Sequence, residues 1–171
     1  MLRAAADVTD DELVVIGSQA VLAQYPDAPA ALLTSLEVDL FPKDNPDRAV
    51  EVDGALGDGS RFHQTYGYYA HGVGPETAIA PAGWRDRLVP VRIEAALPTG
   101  RPVTAWCLEV HDLVLSKLAA GRPHDLEYAE EAITASLVNI EQLQLGIDLM
   151  PEHHREATRD RLEGALKKLN R

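Results

Sequence analysis

Short apolar runs broken by polar turns fill the first two thirds of the chain, and longer amphipathic stretches fill the last third. Leu13, Val14, Val15 and Ile16 form an apolar run that ends at Gly17-Ser18, which predicts a buried strand. Leu36-Glu37-Val38-Asp39-Leu40 alternates apolar and acidic positions, the period of a strand with one face in the core. Leu88 to Ala95 alternates again, Pro98-Thr99-Gly100-Arg101 is a turn signal, and Val103 to Leu108 reads as the returning strand of a hairpin.

Helical patterns lie around these strands. The first covers Leu2 to Val8. A second follows Gly17, from Gln19 to Gln24, and ends near Tyr25-Pro26, because proline disfavours helical geometry in the residue before it. A helical turn is predicted over Ala30 to Leu33, and a helix over Arg48 to Leu56 that stops at Gly57-Asp58-Gly59. Asp112 reads as the N-cap of a helix ending at Gly121-Arg122-Pro123. A longer helix is expected from Asp125 to about Leu145 and a last one over Glu152 to Leu169. Ser60 to Pro90 is the least regular section. The pattern predicts an α+β class, an α/β mixed sheet over residues 1–110 with a C-terminal helical cover over 111–171, in one domain.

A length of 171 residues suits one domain with a sizeable core, and 46% hydrophobic with 25% charged residues is ordinary for a globular protein. No apolar run approaches a membrane span. The N-terminus turns acidic at Asp7, Asp10, Asp11 and Glu12 with no signal-peptide core, so a cytoplasmic location and no membrane partner are expected. Cys107, the single cysteine, sits in an apolar stretch and reads as a buried structural thiol. The net charge of −11 argues against non-specific binding to nucleic acid. Arg85, Arg87, Arg92 and Arg101 make either a local basic groove or a set of solvated surface arginines.

The candidate chemistry begins at Glu37 and Asp39. On a strand both carboxylates leave the same face, an arrangement that can hold one divalent cation for phosphoryl or nucleotidyl transfer, although an ordinary half-exposed strand shows the same alternation. Upstream, Gly17-Ser18 stands between a strand and an expected helix, where glycine permits close approach and a helix start offers free N–H groups to phosphate.

The order strand, Gly-Ser, helix, acid-x-acid strand resembles the polymerase-beta-like nucleotidyltransferase superfamily, and looks most like its small bacterial branch with AbiEii-type toxins and uncharacterised relatives. The run from His111 to Leu126 adds to the resemblance: Lys117-Leu118-Ala119-Ala120 on a helix, then Arg122-Pro123-His124-Asp125 after the turn. The resemblance implies the nucleotidyltransferase fold and a Mg²⁺ (or Mn²⁺) cofactor with a nucleoside triphosphate as substrate. It implies metal binding by Glu37 and Asp39, triphosphate binding by Gly17, Ser18 and Lys117, and catalytic roles for Asp39 and Asp125, the latter as base or orienter. The third acid of this superfamily falls to Glu94 or Glu109. Read without the resemblance, Lys117 is a snorkelling lysine and Asp125 an N-cap.

The sequence departs from the pattern where Glu37 replaces the usual aspartate, where Leu33 stands in place of an arginine, and in the length of the Ser18 to Glu37 loop. Ser35 takes the threonine position. The function implied is Mg-dependent transfer of a nucleotidyl group from an NTP to a hydroxyl of RNA or protein, in a toxin–antitoxin setting, with a homodimer or a cognate toxin or antitoxin as partner. The rival is a catalytically silent binding module on the same fold. Phe62, Tyr66, Tyr68, Tyr69 and Trp84, set among glycines, either shape a nucleotide pocket or pack under a loop. His63, His71, His111 and His124 match no compact zinc spacing.

Overall fold

The computed structural model describes residues 1–94 and 102–169. Helix α1 (Leu2–Thr9) leads into β1 (Leu13–Val15), and β2 (Glu37–Pro42) follows after two 3₁₀ segments, Ser18–Ala23 and Ala30–Leu33. Helices α2 (Ala49–Leu56) and α3 (Arg61–Tyr66) precede β3 (Tyr69–Gly72). Strands β4 (Val89–Ile93) and β5 (Val103–Cys107) then lead to α4 (Val110–Ala120), α5 (Pro123–Thr134), α6 (Ile140–Ile147) and α7 (Glu152–Leu169). The fold is α+β, built on a five-stranded mixed sheet in the order β3-β2-β1-β5-β4.

β1 is apolar at every position because it is the central strand, buried on both faces. It pairs antiparallel with β2, placing Val15 opposite Leu40, and parallel with β5, placing Val15 opposite Cys107. β3 adds parallel to β2 at one edge, and β4 adds antiparallel to β5 at the other. Leu13, Leu40, Ala105, Leu113, Leu118 and Leu143 are fully buried in one core cluster that joins the sheet to the C-terminal helices. Burying a leucine side chain stabilises the fold by about 2 kcal/mol.

Several expectations change. The segment after Gly17 is 3₁₀, closed by Ala20 N–H on the Gly17 carbonyl, so Gly17-Ser18 opens no α-helix and has little macrodipole behind it. Glu109, not Asp112, caps α4: its carboxylate accepts the His111 and Asp112 amides, while Asp112 is buried against Arg87 at 2.8 Å. The long helix expected from Asp125 breaks into α5 and α6. Ser136 adopts a positive φ of 57°, and the Asn139 side chain accepts the Gln142 amide to start a new helix. Within the irregular section, Tyr69–Gly72 forms an edge strand that no alternation announces. The expected turn at Pro98 to Arg101 lies outside the described residues. Arg85 lies over the Trp84 ring, Arg87 pairs with Asp112 and Arg92 with Glu94, so these three do not form a shared basic groove. Among the described residues no helix is long and apolar enough to cross a membrane.

Candidate active site

Glu37 and Asp39 leave the same face of β2, and the parallel register sets Tyr69 beside Glu37 and His71 beside Asp39. Each acid therefore has a partner on β3. The Tyr69 hydroxyl donates to Glu37 Oε2 at 3.0 Å, a bond that raises the tyrosine's pKa, and His71 Nδ1 lies 3.0 Å from Asp39 Oδ1. His63 lies against Tyr69 with 4.8 Å between ring centroids and the rings tilted by 44°, and its Nδ1 sits 3.0 Å from Asp58. Phe62 packs on Tyr66 and Tyr68, so these aromatics contact one another beside the edge strand.

Gly17 meets Asp39 from the side of β1. A Cβ at Gly17 would lie 2.9 Å from Asp39 Cβ and closer still to its Oδ2, so only glycine leaves the carboxylate its place. The Ile16 amide donates to the Asp39 carbonyl, which fixes the approach of the two strands. Burial, then the charge of Glu37, raises the Asp39 carboxyl above its ordinary range.

Helices α4 and α5 supply the cationic side. Gly121, with φ of 67°, ends α4 in the left-handed conformation, and Pro123 starts α5 at its first turn, so Lys117 and Asp125 come together across a short corner. Lys117 Nζ lies 3.0 Å from Asp125 Oδ1 and Arg122 Nε 2.6 Å from Asp125 Oδ2, while Asp125 is fully buried. Burial alone would raise the Asp125 carboxyl, but the bond from Arg122 and the charge of Lys117 hold it below its ordinary range. Tyr128 on α5 donates to the Ser18 carbonyl at 3.0 Å and offers its ring to Lys117, tying the helix corner to the Gly17-Ser18 turn.

Ser18, Glu37, Asp39, Lys117, Arg122 and Tyr128 line one cavity of about 540 Å³, whereas Gly17, His71 and the buried Asp125 stand behind or beside its walls. That volume is ample for a nucleotide. A larger, more apolar recess of about 790 Å³ opens on the opposite face of β2, floored by Val38 and Val15, away from the carboxylates.

Neither expected third acid joins the pair: sheet order carries Glu94 away, and local bonding occupies Glu109. Glu94 follows β4 at the edge opposite β3 and pairs with Arg92, and Glu109 is committed to capping α4 and to His111 at 2.8 Å. The group that does converge on Glu37 and Asp39 is His71: one ligand atom from each of the three lies within 4.8 Å of the others. Sequence reasoning missed this partnership, since a lone histidine in an unpatterned segment carries no signal of its strand neighbour. The site fits a small divalent ion. Two carboxylates and an imidazole with ligand atoms within 4.8 Å of one another are donors a divalent ion accepts, the His71–Asp39 contact at 3.0 Å is the hydrogen bond an ion would replace, and a cation would offset the Glu37 charge that helps raise Asp39.

The family model described as "nucleotidyltransferase of unknown function (DUF6036)" matches residues 2–163. The chain belongs to this family. No curated protein and no solved structure matches it. The match spans both halves of the site of this DUF6036 member, the β2 acids and the Lys117 to Asp125 corner.

Proposed function

We propose that this protein transfers a nucleotidyl group from a nucleoside triphosphate to a hydroxyl of RNA or protein, with Mg²⁺ (or Mn²⁺) held by Glu37 and Asp39. The observation that carries the reading is the opening of Glu37, Asp39, Ser18 and Lys117 onto one nucleotide-sized cavity, in a chain of a nucleotidyltransferase family. The acceptor oxygen bonds to the α-phosphorus, the bond from that phosphorus to the β-phosphate oxygen breaks, and pyrophosphate leaves. The hydroxyl proton passes to Asp39, a carboxylate on the cavity wall beside Glu37. When bound, the divalent ion neutralises the phosphate charge that develops.

The Gly17-Ser18 turn holds the triphosphate, and Lys117 pairs a phosphate oxygen. Asp125 positions Lys117 and takes no proton, since it is buried and held ionised by two cations. A net charge of −11 calls for an acceptor recognised by specific contacts and not by a general polyanion surface. The setting proposed is the cytoplasm, in an AbiEii-like toxin–antitoxin pairing with a cognate partner or a second copy of the chain.

The second reading, a catalytically silent binding module, is favoured by the closed Lys117–Asp125 ion pair and by the Tyr69 hydroxyl on Glu37. Incubation of the protein with α-phosphate-labelled nucleoside triphosphates, a divalent ion and candidate RNA or protein acceptors separates the two. Label transferred by wild type and absent with Glu37→Ala supports the enzyme, and triphosphate bound without turnover supports the silent module.

A further inference from the structure

We propose that His71 is a nitrogen ligand of the ion held by Glu37 and Asp39, and that this two-carboxylate, one-imidazole set selects Mn²⁺ over Mg²⁺. The inference rests on the reading of Glu37 and Asp39 as the metal pair. Three features of the fold lead to it.

The first is register. β3 pairs in parallel with β2 so that His71 is the direct partner of Asp39, on the face from which both acids project. This is the position from which a neighbouring strand can reach the same ion. No other His, Cys, Asp or Glu among the described residues joins the group.

The second is geometry. Nδ1 already lies 3.0 Å from Asp39 Oδ1, and the His71 side chain is 50% exposed against 21% for Asp39. The ring therefore stands at the solvent side of the pair, and an ion entering there would take the place of the proton that Nδ1 and Asp39 Oδ1 share. β3 carries the ring on backbone that is itself fixed, by the Tyr69 amide on the Leu36 carbonyl and the Val73 amide on the Leu40 carbonyl.

The third is ligand chemistry. Mg²⁺ takes hard oxygen donors and seldom exchanges a water for nitrogen, whereas Mn²⁺ tolerates imidazole among carboxylates. Replacing an oxygen donor by His71 thus weakens Mg²⁺ relative to Mn²⁺. The competing arrangement keeps His71 one step out, as an N–H donor that only orients the Asp39 carboxylate. That role shifts affinity for both ions together, so the ratio of the two affinities tells the roles apart.

The experiment is titration of Mn²⁺ and Mg²⁺ into nucleotide-free protein, with pulsed electron paramagnetic resonance of bound Mn²⁺. It is run on wild type, His71→Asn, His71→Asp and Asp39→Ala, each first shown folded by circular dichroism. The result expected is nitrogen coupling to Mn²⁺ in wild type that both His71 variants lose. With it, the Mn²⁺-to-Mg²⁺ affinity ratio falls at least about tenfold in His71→Asp, which restores an all-oxygen set. Bound Mn²⁺ without nitrogen coupling, or an unchanged ratio in His71→Asp, overturns this inference and leaves the metal pair standing. Wild type that binds neither ion, or binds them as well after Asp39→Ala, overturns the metal reading of Glu37 and Asp39 and this inference with it.

Discussion

Gly17, just past the end of β1, and Asp39 on β2 approach so closely that a methyl group on Gly17 would fall 2.9 Å from Asp39 Cβ and push its carboxylate aside. The Gly17 backbone, with φ −84° and ψ −173°, suits any residue, so the glycine is required by space and not by conformation. Gly17→Ala should therefore act on the site more than on the fold. The expected outcome is a loss of about 1–3 kcal/mol of stability from overpacking, together with divalent-ion affinity at least about tenfold weaker. Chemical denaturation and metal titration of the variant check both. Wild-type metal affinity in a folded Gly17→Ala would contradict the role given to the contact.

Asp125 and Arg122 differ in what their removal leaves behind. Asp125→Ala strands Lys117, only 13% exposed, without its counter-charge, and should cost about 3–5 kcal/mol. Arg122→Ala removes a side chain that is 63% exposed and leaves the Lys117 pair intact, so its cost should stay below about 1 kcal/mol. Urea unfolding of the two variants tests the order.

The raised Asp39 carboxyl links stability to pH. Its cause is burial first and the Glu37 charge second, so the folded protein binds this proton more tightly than the unfolded chain does. Ionising Asp39 in the fold then costs stability: the cost is absent below the ordinary carboxylate value, grows as pH rises through the raised one, and is complete above it. Asp39→Asn should unfold at a higher temperature than wild type at neutral pH, with the difference closing as the medium is acidified. Thermal melts across pH measure this, and a difference that does not change with pH would contradict it. A bound divalent ion should raise the wild-type midpoint alone.

Cys107 is 4% exposed on β5, and burial pushes its thiol up to about 12. It should resist a disulfide reagent in the folded protein at mildly alkaline pH and react at once in guanidinium. Rapid labelling under native conditions would show that the sheet opens on the side of the apolar recess.

The sequence carried the β2 acids clearly because Leu36, Val38 and Leu40 alternate with Glu37 and Asp39, and a period of two is visible without any partner strand. The Lys117 to Asp125 corner was legible for a similar reason, since Gly121 and Pro123 punctuate two amphipathic helices locally. His71 was not. Its segment, Tyr69 to Gly72, has four residues and no apolar period, and its place beside Asp39 follows from parallel pairing across about thirty residues of chain. Glu94 was misplaced by the same limitation. A hairpin predicts that β4 pairs with β5, but only the whole sheet shows that β5 separates β4 from β1 and carries Glu94 to the far edge. The break at Ser136 escaped because apolar residues continue at helical spacing through it, and the αL turn with the Asn139 cap outweighs the pattern.

The most direct measurement is isothermal titration of ATP, GTP, CTP and UTP, each with Mg²⁺ or Mn²⁺, into wild type and into Asp39→Ala. The account predicts that at least one triphosphate binds wild type only when the divalent ion is present, and that Asp39→Ala, still folded, loses that binding. A folded wild type that binds none of the four, or a triphosphate bound equally well without the metal or without Asp39, would contradict it.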